Sequence, residues 1–360
     1  MPFFAGVKVL GDGFVAGLAV VFLAILLDRS TSAAARTEVS YIPPTKKEIQ
    51  KRRISLGLMA IFMAVTIWLS RNVLWAAVWP KNLDFSKPIS KTTNTVTDWI
   101  VNNFQFLTVG FKDFISNYVL NNLQLLLAGS PWFITIVMLS ILAYLIGGLR
   151  VTFVALGLMV LIIATGLWYE TMVTLTQTIV ATILTMIVGL VLGIWIGRSK
   201  KADKVLRPFL DAGQTLPAFV YLVPMLGLFG PTRFTAIATG IVYSIPIVVK
   251  IVGEGIRNVS SSMVEAATSA GSTAWQIITK VQIPAAKRSL LLAVNQGLIF
   301  VLAVVVIGGY VGSGALGYLV IVGNSKPELQ GKGLVAGLCI VLLGIMIDRI
   351  AQAGAKKYGN

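Results

Sequence analysis

Apolar positions along this chain fall into long unbroken runs, not into the alternation of strands or the narrow stripes of soluble helices. The runs lie at about 15–27, 54–79, 131–146, 151–168, 172–196, 217–229, 234–249, 290–307 and 334–347, and almost no charge interrupts them. At 1.5 Å per residue, ~20 apolar residues cross ~30 Å of hydrocarbon as a helix. The pattern therefore predicts an all-α polytopic membrane protein with about nine spans, of which 217–229 is among the shortest.

The segment between the second and third runs has a different rhythm. Trp99, Ile100, Phe104, Leu107, Phe111, Phe114, Ile115 and Tyr118 recur at helical spacing, with Asn102, Lys112, Asp113 and Asn117 between them. This predicts an amphipathic helix with an aromatic face. It either lies flat at the outer interface or packs on the bundle, or it acts as an external scaffold that receives a partner protein. The first and last runs resemble each other. Gly11-x-Gly13, Val15-Ala16-Gly17-Leu18 and Asp28-Arg29 match Gly331-x-Gly333, Val335-Ala336-Gly337-Leu338 and Asp348-Arg349. The first run reads as a copy of the last.

Composition removes whole classes of function. Hydrophobic residues make up 56% and charged residues 12%, too little charge to cover a soluble surface. A cytosolic enzyme, a disordered chain and a free nucleic-acid binder are excluded. The chain has no histidine and one cysteine, Cys339. That removes histidine proton relays, intrachain disulfides and His/Cys metal clusters. The net charge of +16 matches Lys and Arg collecting in cytoplasmic loops. Arg36 and Lys46–Arg53, Arg198 to Arg207, Lys250 to Arg288, and Lys356-Lys357 share one side if the N-terminus is outside and the C-terminus inside. Only Lys8 precedes the first run, so a cleaved signal peptide is not expected.

One basic-side loop carries chemistry. Ser262 and Glu265 have capping-box spacing, Gly271 sits where a helix end needs positive φ, and Thr273 with Gln276 repeats the cap for a second helix that Pro284 should stop. Ala266, Ala267 and Ala270 leave a small-residue surface. The result is a stiff helix-turn-helix, fit to sit in another protein's cleft. Glu265-Ala266-Ala267, Gly271 and Val281-x-Ile283-Pro284 resemble the Glu-Ala-Ala signature of binding-protein-dependent ABC importer permeases. The resemblance runs from about Asp98 to Arg349. Leu210–Pro224, Tyr243-Ser244-Ile245-Pro246, Asn295-Gln296-Gly297 and Gly308–Gly317 are similar to the glycine betaine/proline branch.

What the resemblance implies is a type I ABC importer permease fold in a bacterial cytoplasmic (inner) membrane. Its partners are ATP-binding subunits that hold ATP and Mg, an external solute-binding protein, a second permease chain (a homodimer) and membrane lipid. Glu265, Ala266, Ala267, Gly271 and Pro284 are the ATPase-coupling candidates, with no catalytic or metal site and no cofactor on this chain. The cargo implied is glycine betaine, proline or a related osmolyte. The implied divisions are an extra span at 1–30, a basic loop with the second span at 31–95, the external helix at 96–130, and a core at 131–360 with its coupling loop at 257–288.

Other residues are weighed on their own chemistry. Gln214, Thr215, Tyr221, Tyr243, Asn295 and Gln296 are the polar groups suited to line a path, or merely to join helices. Pro217, Pro224 and Pro246 predict bent helices. Gly312-Ser-Gly314-Ala-Leu-Gly317 has dinucleotide-fingerprint spacing but follows a span, so it reads as close backbone packing or a re-entrant turn. No Walker A sequence occurs. No acid lies deep in a run, as an ion-driven carrier would often need. The alternatives are a permease for another small solute, an ion-driven secondary carrier, or a non-transporting regulatory subunit.

Overall fold

The computed structural model describes residues 46–73 and 85–358 and part of 15–31. The first copy of the repeat is described only in part, and Arg36 lies outside these residues. Residues 1–95 and 96–360 form two compact units. In the first, α1 (Lys46–Asn72) carries the second apolar run, and none of its span window is buried.

The second unit is built from the C-terminal part of α2 and from α3 to α14; residues 86–95 of α2 belong to the first. Helix α2 (Ser86–Asn103) leads into α3 (Phe106–Leu127), which widens to π at Phe106–Gly110 and Ile115–Leu120. Buried Ile115, Leu120 and Leu127 are its inner face. The predicted aromatic face is split: Phe114 and Tyr118 are 55% and 69% exposed, whereas Ile115 is buried and Phe111 meets Phe234 edge to face at 6.0 Å. Helix α3 meets α4 (Trp132–Gly147) at 104°. Gly148, at φ +74°, turns α4 into α5 (Leu149–Ala164). Sixteen residues reach only about 24 Å, so α5 is shorter than a full span.

Four long helices form the frame: α6 (Trp168–Arg198), α9 (Arg233–Arg257), α12 (Lys287–Ile307) and α14 (Gln330–Tyr358). Between them lie α7 (Lys200–Thr215) and α8 (Ala218–Phe229), again bent by 104°, with Pro217 at the corner. Pro224 and Pro246 sit inside α8 and α9. The basic-side loop forms α10 (Ser261–Ser269) and α11 (274–285). A short helix, α13 (Ala315–Ser325), follows the glycine turn in which Gly312 and Gly314 have φ of +79° and +71°.

By length and composition five described helices can cross a membrane, or seven if each bent pair is one span. The nine-span reading differs because α4, α5 and α8 are too short alone, and the first run is described only in part.

The tightest crossing joins α6 to α9. Gly189, Gly193 and Gly197 lie one turn apart and face Val248, Val252 and Gly253; a Cβ on Gly193 would stand 2.5 Å from the Val252 Cβ. Small residues at four-residue spacing are how helices approach closely where burial from water gives no drive. Around this seam, Val180, Ala181, Phe234, Ile237, Val301 and Val305 tie α6, α9 and α12 together. Leu139, Met159, Met172, Leu302 and Leu343 tie α4, α5, α6, α12 and α14.

Helix α6 also buries a polar ladder. Thr171, Thr176, Thr178, Thr182 and Thr185 each donate a hydroxyl to the carbonyl four residues back. This satisfies the hydroxyl inside its own helix. Only Thr174 and Gln177 also reach across: Leu316 N–H donates to Thr174 Oγ1 at 3.2 Å, and Gln177 Nε2 donates to Ser313 O at 2.9 Å.

Candidate functional site

The loop between α9 and α12 projects as a helix-turn-helix arm. Helix α10 closes with Gly271 at φ +79°, where Ser272 N–H donates to Ala267 O at 3.0 Å. A Cβ at Gly271 would meet nothing within 4 Å, so the left-handed backbone, not crowding, asks for glycine. Thr273 and Gln276 form a complete capping box. Two expectations are corrected. Ser262 lies inside α10, whose N-cap is Ser260 without a side-chain cap; the Ser260 hydroxyl instead meets that of Ser262 at 2.6 Å. Pro284 does not stop the second helix, because the π-turn Ile277–Gln282 changes the hydrogen-bond register just before it. A residue without an N–H then sits where none is used. The chain breaks at Ala286 instead.

The arm presents apolar side chains to its surroundings. Trp275 is 71% exposed and Met263 44%, beside exposed Glu265 and Ala266 and half-buried Ala267. Large exposed apolar groups rimmed by polar residues mark interaction surfaces. At its base the arm is fastened: the Arg198 guanidinium at the end of α6 donates to Gln282 Oε1. Arg257, ending α9, donates to Ile196 O at 3.0 Å and pairs with Asp203 of α7 at 2.9 Å. Asp203 also meets Arg207 at 3.2 Å. The base of the arm is thus tied to the end of α6, and the ends of α6, α7 and α9 are tied to one another.

A second cluster lies where α7, α8, α9 and α12 meet. Tyr221 and Tyr243 contact edge to face with centroids 5.8 Å apart, and Tyr243 stacks on Phe300 at 5.6 Å. The Tyr221 hydroxyl donates to Gly213 O at 2.6 Å, fixing the ring. Two turns from Tyr243 on α9, Lys250 pairs with Asp211 and donates to Gln214. All three rings are partly exposed. The wall is therefore aromatic, with its one cation already compensated.

The structure thus brings Gln214, Tyr221 and Tyr243 together, and Gln296 lies one turn from Phe300 on α12. The Thr215 hydroxyl turns back to Ala212 O at 2.9 Å. Asn295 lies apart: it is buried on another face of α12 and donates to Asp348 Oδ1 at 3.3 Å. Sequence reasoning missed Phe300, Lys250, Asp211 and Trp275, and missed the Arg198–Gln282 clamp. Trp275 in a polar loop was the one local signal; the others need the long-range fold.

Comparison with known proteins follows the same chain segments. Residues 189–359 match the family described as binding-protein-dependent transport system inner membrane component. Over 296 residues the chain is 36% identical to the glycine betaine/proline betaine transport system permease protein ProW of Escherichia coli, covering 81% of this chain and 76% of that one. It is 37% identical over 207 residues to the glycine betaine/carnitine transport permease protein GbuB of Listeria monocytogenes, covering 58% and 73%. Among solved structures, an inward-facing MetNI methionine ABC transporter chain aligns at 24% identity and a TM-score of 0.45, covering 52% of this chain and 91% of that chain.

Proposed function

The chain belongs to the inner membrane components of binding-protein-dependent transport systems, the permease subunits of ABC importers, and from that membership we propose that it carries a quaternary ammonium osmolyte such as glycine betaine or proline betaine across the cytoplasmic membrane. The projecting α10–α11 arm carries the coupling part of this reading. Its exposed Trp275 and Met263 offer a docking surface, and its clamped base leads to three helices of the bundle.

The division of labour follows from what the chain holds. ATP and Mg belong on a separate ATP-binding subunit, whose closure presses on Glu265, Ala266, Ala267 and the Gly271 turn. Arg198–Gln282 and Arg257–Asp203 pass the displacement to α6, α9 and α7, and Pro284 and Ala286 let α12 follow. An external solute-binding protein delivers the cargo above residues 96–130, the outer scaffold. Residues 131–360 form the working core around the 257–288 loop, and two identical chains pair to close a path. The spans at 1–30 and 31–95 are additions to that core.

The aromatic cluster suits the cargo. Ring faces attract a methylated ammonium by about 0.5–2 kcal/mol, enough to guide it and too little to trap it. The Lys250–Asp211 pair leaves no lone charge to hold a zwitterion. Uptake of labelled glycine betaine into proteoliposomes holding the full complex tests the proposal. ATP-dependent accumulation that requires the binding protein is expected. Uptake by this chain alone, driven by an ion gradient and indifferent to ATP, would overturn it.

A further inference from the structure

Behind the arm, α12 and α14 flank an open-sided cavity of about 620 Å³ lined by Arg288, Ser289, Leu292 and Asn295 of α12 and by Gln352, Ala355 and Lys356 of α14. These residues repeat at three- and four-residue steps, so each helix gives the cavity one face. Among the described residues, Arg288 and Lys356 make no ion pair and no hydrogen bond. Both are exposed, and two like charges beside one space favour an anion between them.

The nearby acid does not supply that anion. Both carboxylate oxygens of Asp348 accept from Gln352 Nε2, at 2.9 and 2.8 Å, and one also accepts from Asn295 Nδ2 at 3.3 Å. The carboxylate is thus turned to amides. Two cations against one carboxylate leave one positive charge, which one added anion cancels. Asn295 is only 6% exposed, and its Oδ1 is buried with no donor. A buried acceptor left open costs free energy until a donor arrives. The ligand that completes this site carries an anion and, beside it, a hydroxyl or amine.

The surroundings favour one source. The cavity sits at the basic end of two spans. Leu292 of the lining is 47% exposed, and deeper along the same two stripes Ile299, Val341 and Ile345 are 41%, 56% and 41% exposed. An anionic head above an exposed apolar track is the shape of an inner-leaflet phospholipid, and basic pockets between spans on this side hold such heads. We propose that the α12–α14 cavity binds the phosphodiester head of an anionic, hydroxyl-bearing phospholipid, with Arg288 and Lys356 on the phosphate and Asn295 Oδ1 accepting from the head's hydroxyl. Arg288 stands four residues beyond Pro284, so the bound lipid braces the exit of the arm. This rests on the orientation of the spans and not on the cargo.

The test is lipid retention by the full complex purified from nanodiscs of mixed phosphatidylglycerol and phosphatidylcholine, read by native mass spectrometry. Wild type should retain phosphatidylglycerol selectively. R288Q/K356Q should lose that preference by on the order of twenty-fold, since each basic residue near an anionic leaflet contributes a factor of about five. A control, K326Q/K332Q, removes the same charge elsewhere and should keep it. Equal retention in wild type and R288Q/K356Q would overturn the proposal. So would stabilisation of the delipidated complex by inorganic phosphate as strongly as by the lipid, which would mark a soluble-anion site. Cross-linking of Leu292→Cys to a second copy would also overturn it, by giving the cavity to the partner chain.

Discussion

Replacing Gly271 with valine isolates the arm from the rest of the molecule. A Cβ at this position would meet nothing within 4 Å, so no packing changes; only the backbone does, at φ +79°. A left-handed conformation costs an L-residue about 1–2 kcal/mol, and a β-branched one pays toward the upper end. That shifts the balance between the turned and the opened arm by about 5- to 30-fold. Helix α10 has only nine residues and no buried side chain, so little else holds the turn. ATP-driven uptake by the reconstituted complex should fall by a comparable factor, with its thermal midpoint unchanged because the arm lies outside the packed bundle. Gly271→Asn should recover most of the loss, since asparagine tolerates this region. Full coupling in Gly271→Val, or equal damage from asparagine and valine, would refute the link between the turn and transport.

Other perturbations separate the remaining parts. Gly193→Leu drives a side chain into Val252 and should destabilise the bundle by at least about 1–3 kcal/mol, visible as a lower melting temperature in detergent; an unchanged melting temperature would contradict the close crossing. Arg198→Met and Gln282→Leu should each weaken uptake more than they weaken ATP hydrolysis. Their double-mutant cycle should give about 0.5–3 kcal/mol of interaction, and simple additivity would show that the clamp transmits nothing. Tyr243→Leu should raise the cargo concentration for half-maximal uptake by about 2- to 30-fold, while Tyr243→Phe keeps the ring face and should leave it nearly unchanged.

Much of the architecture was readable from local pattern. Long apolar runs mark helices because one 3.6-residue repeat satisfies every backbone group in lipid, and α6, α9, α12 and α14 formed where those runs lie. The Gly271 turn and the Thr273–Gln276 box were legible for the same reason: each involves residues within four positions. What failed needed partners far away. The register change at Ile277–Gln282 that accommodates Pro284 follows no short motif, and the split of the α3 face is decided by which of its residues meet Phe234 and its neighbours. Gly189, Gly193 and Gly197 did carry a written signal at four-residue spacing, but their mates on α9 appear only in three dimensions. Asn295 and Gln296 are adjacent in sequence yet serve different faces, because consecutive helical positions point about 100° apart.

The threonine rungs of α6 have a mechanical meaning. A hydroxyl that bonds its own helix makes no commitment to its neighbours, so the buried middle of the shaft is held to them by packing and not by hydrogen bonds. Its side-chain bonds to the rest of the bundle gather at its two ends: Thr174 and Gln177 grip the head of α13, and Arg198 holds Gln282. Helix α6 is built as a shaft held at both ends, by the catch at α13 and by the clamp at the base of the arm.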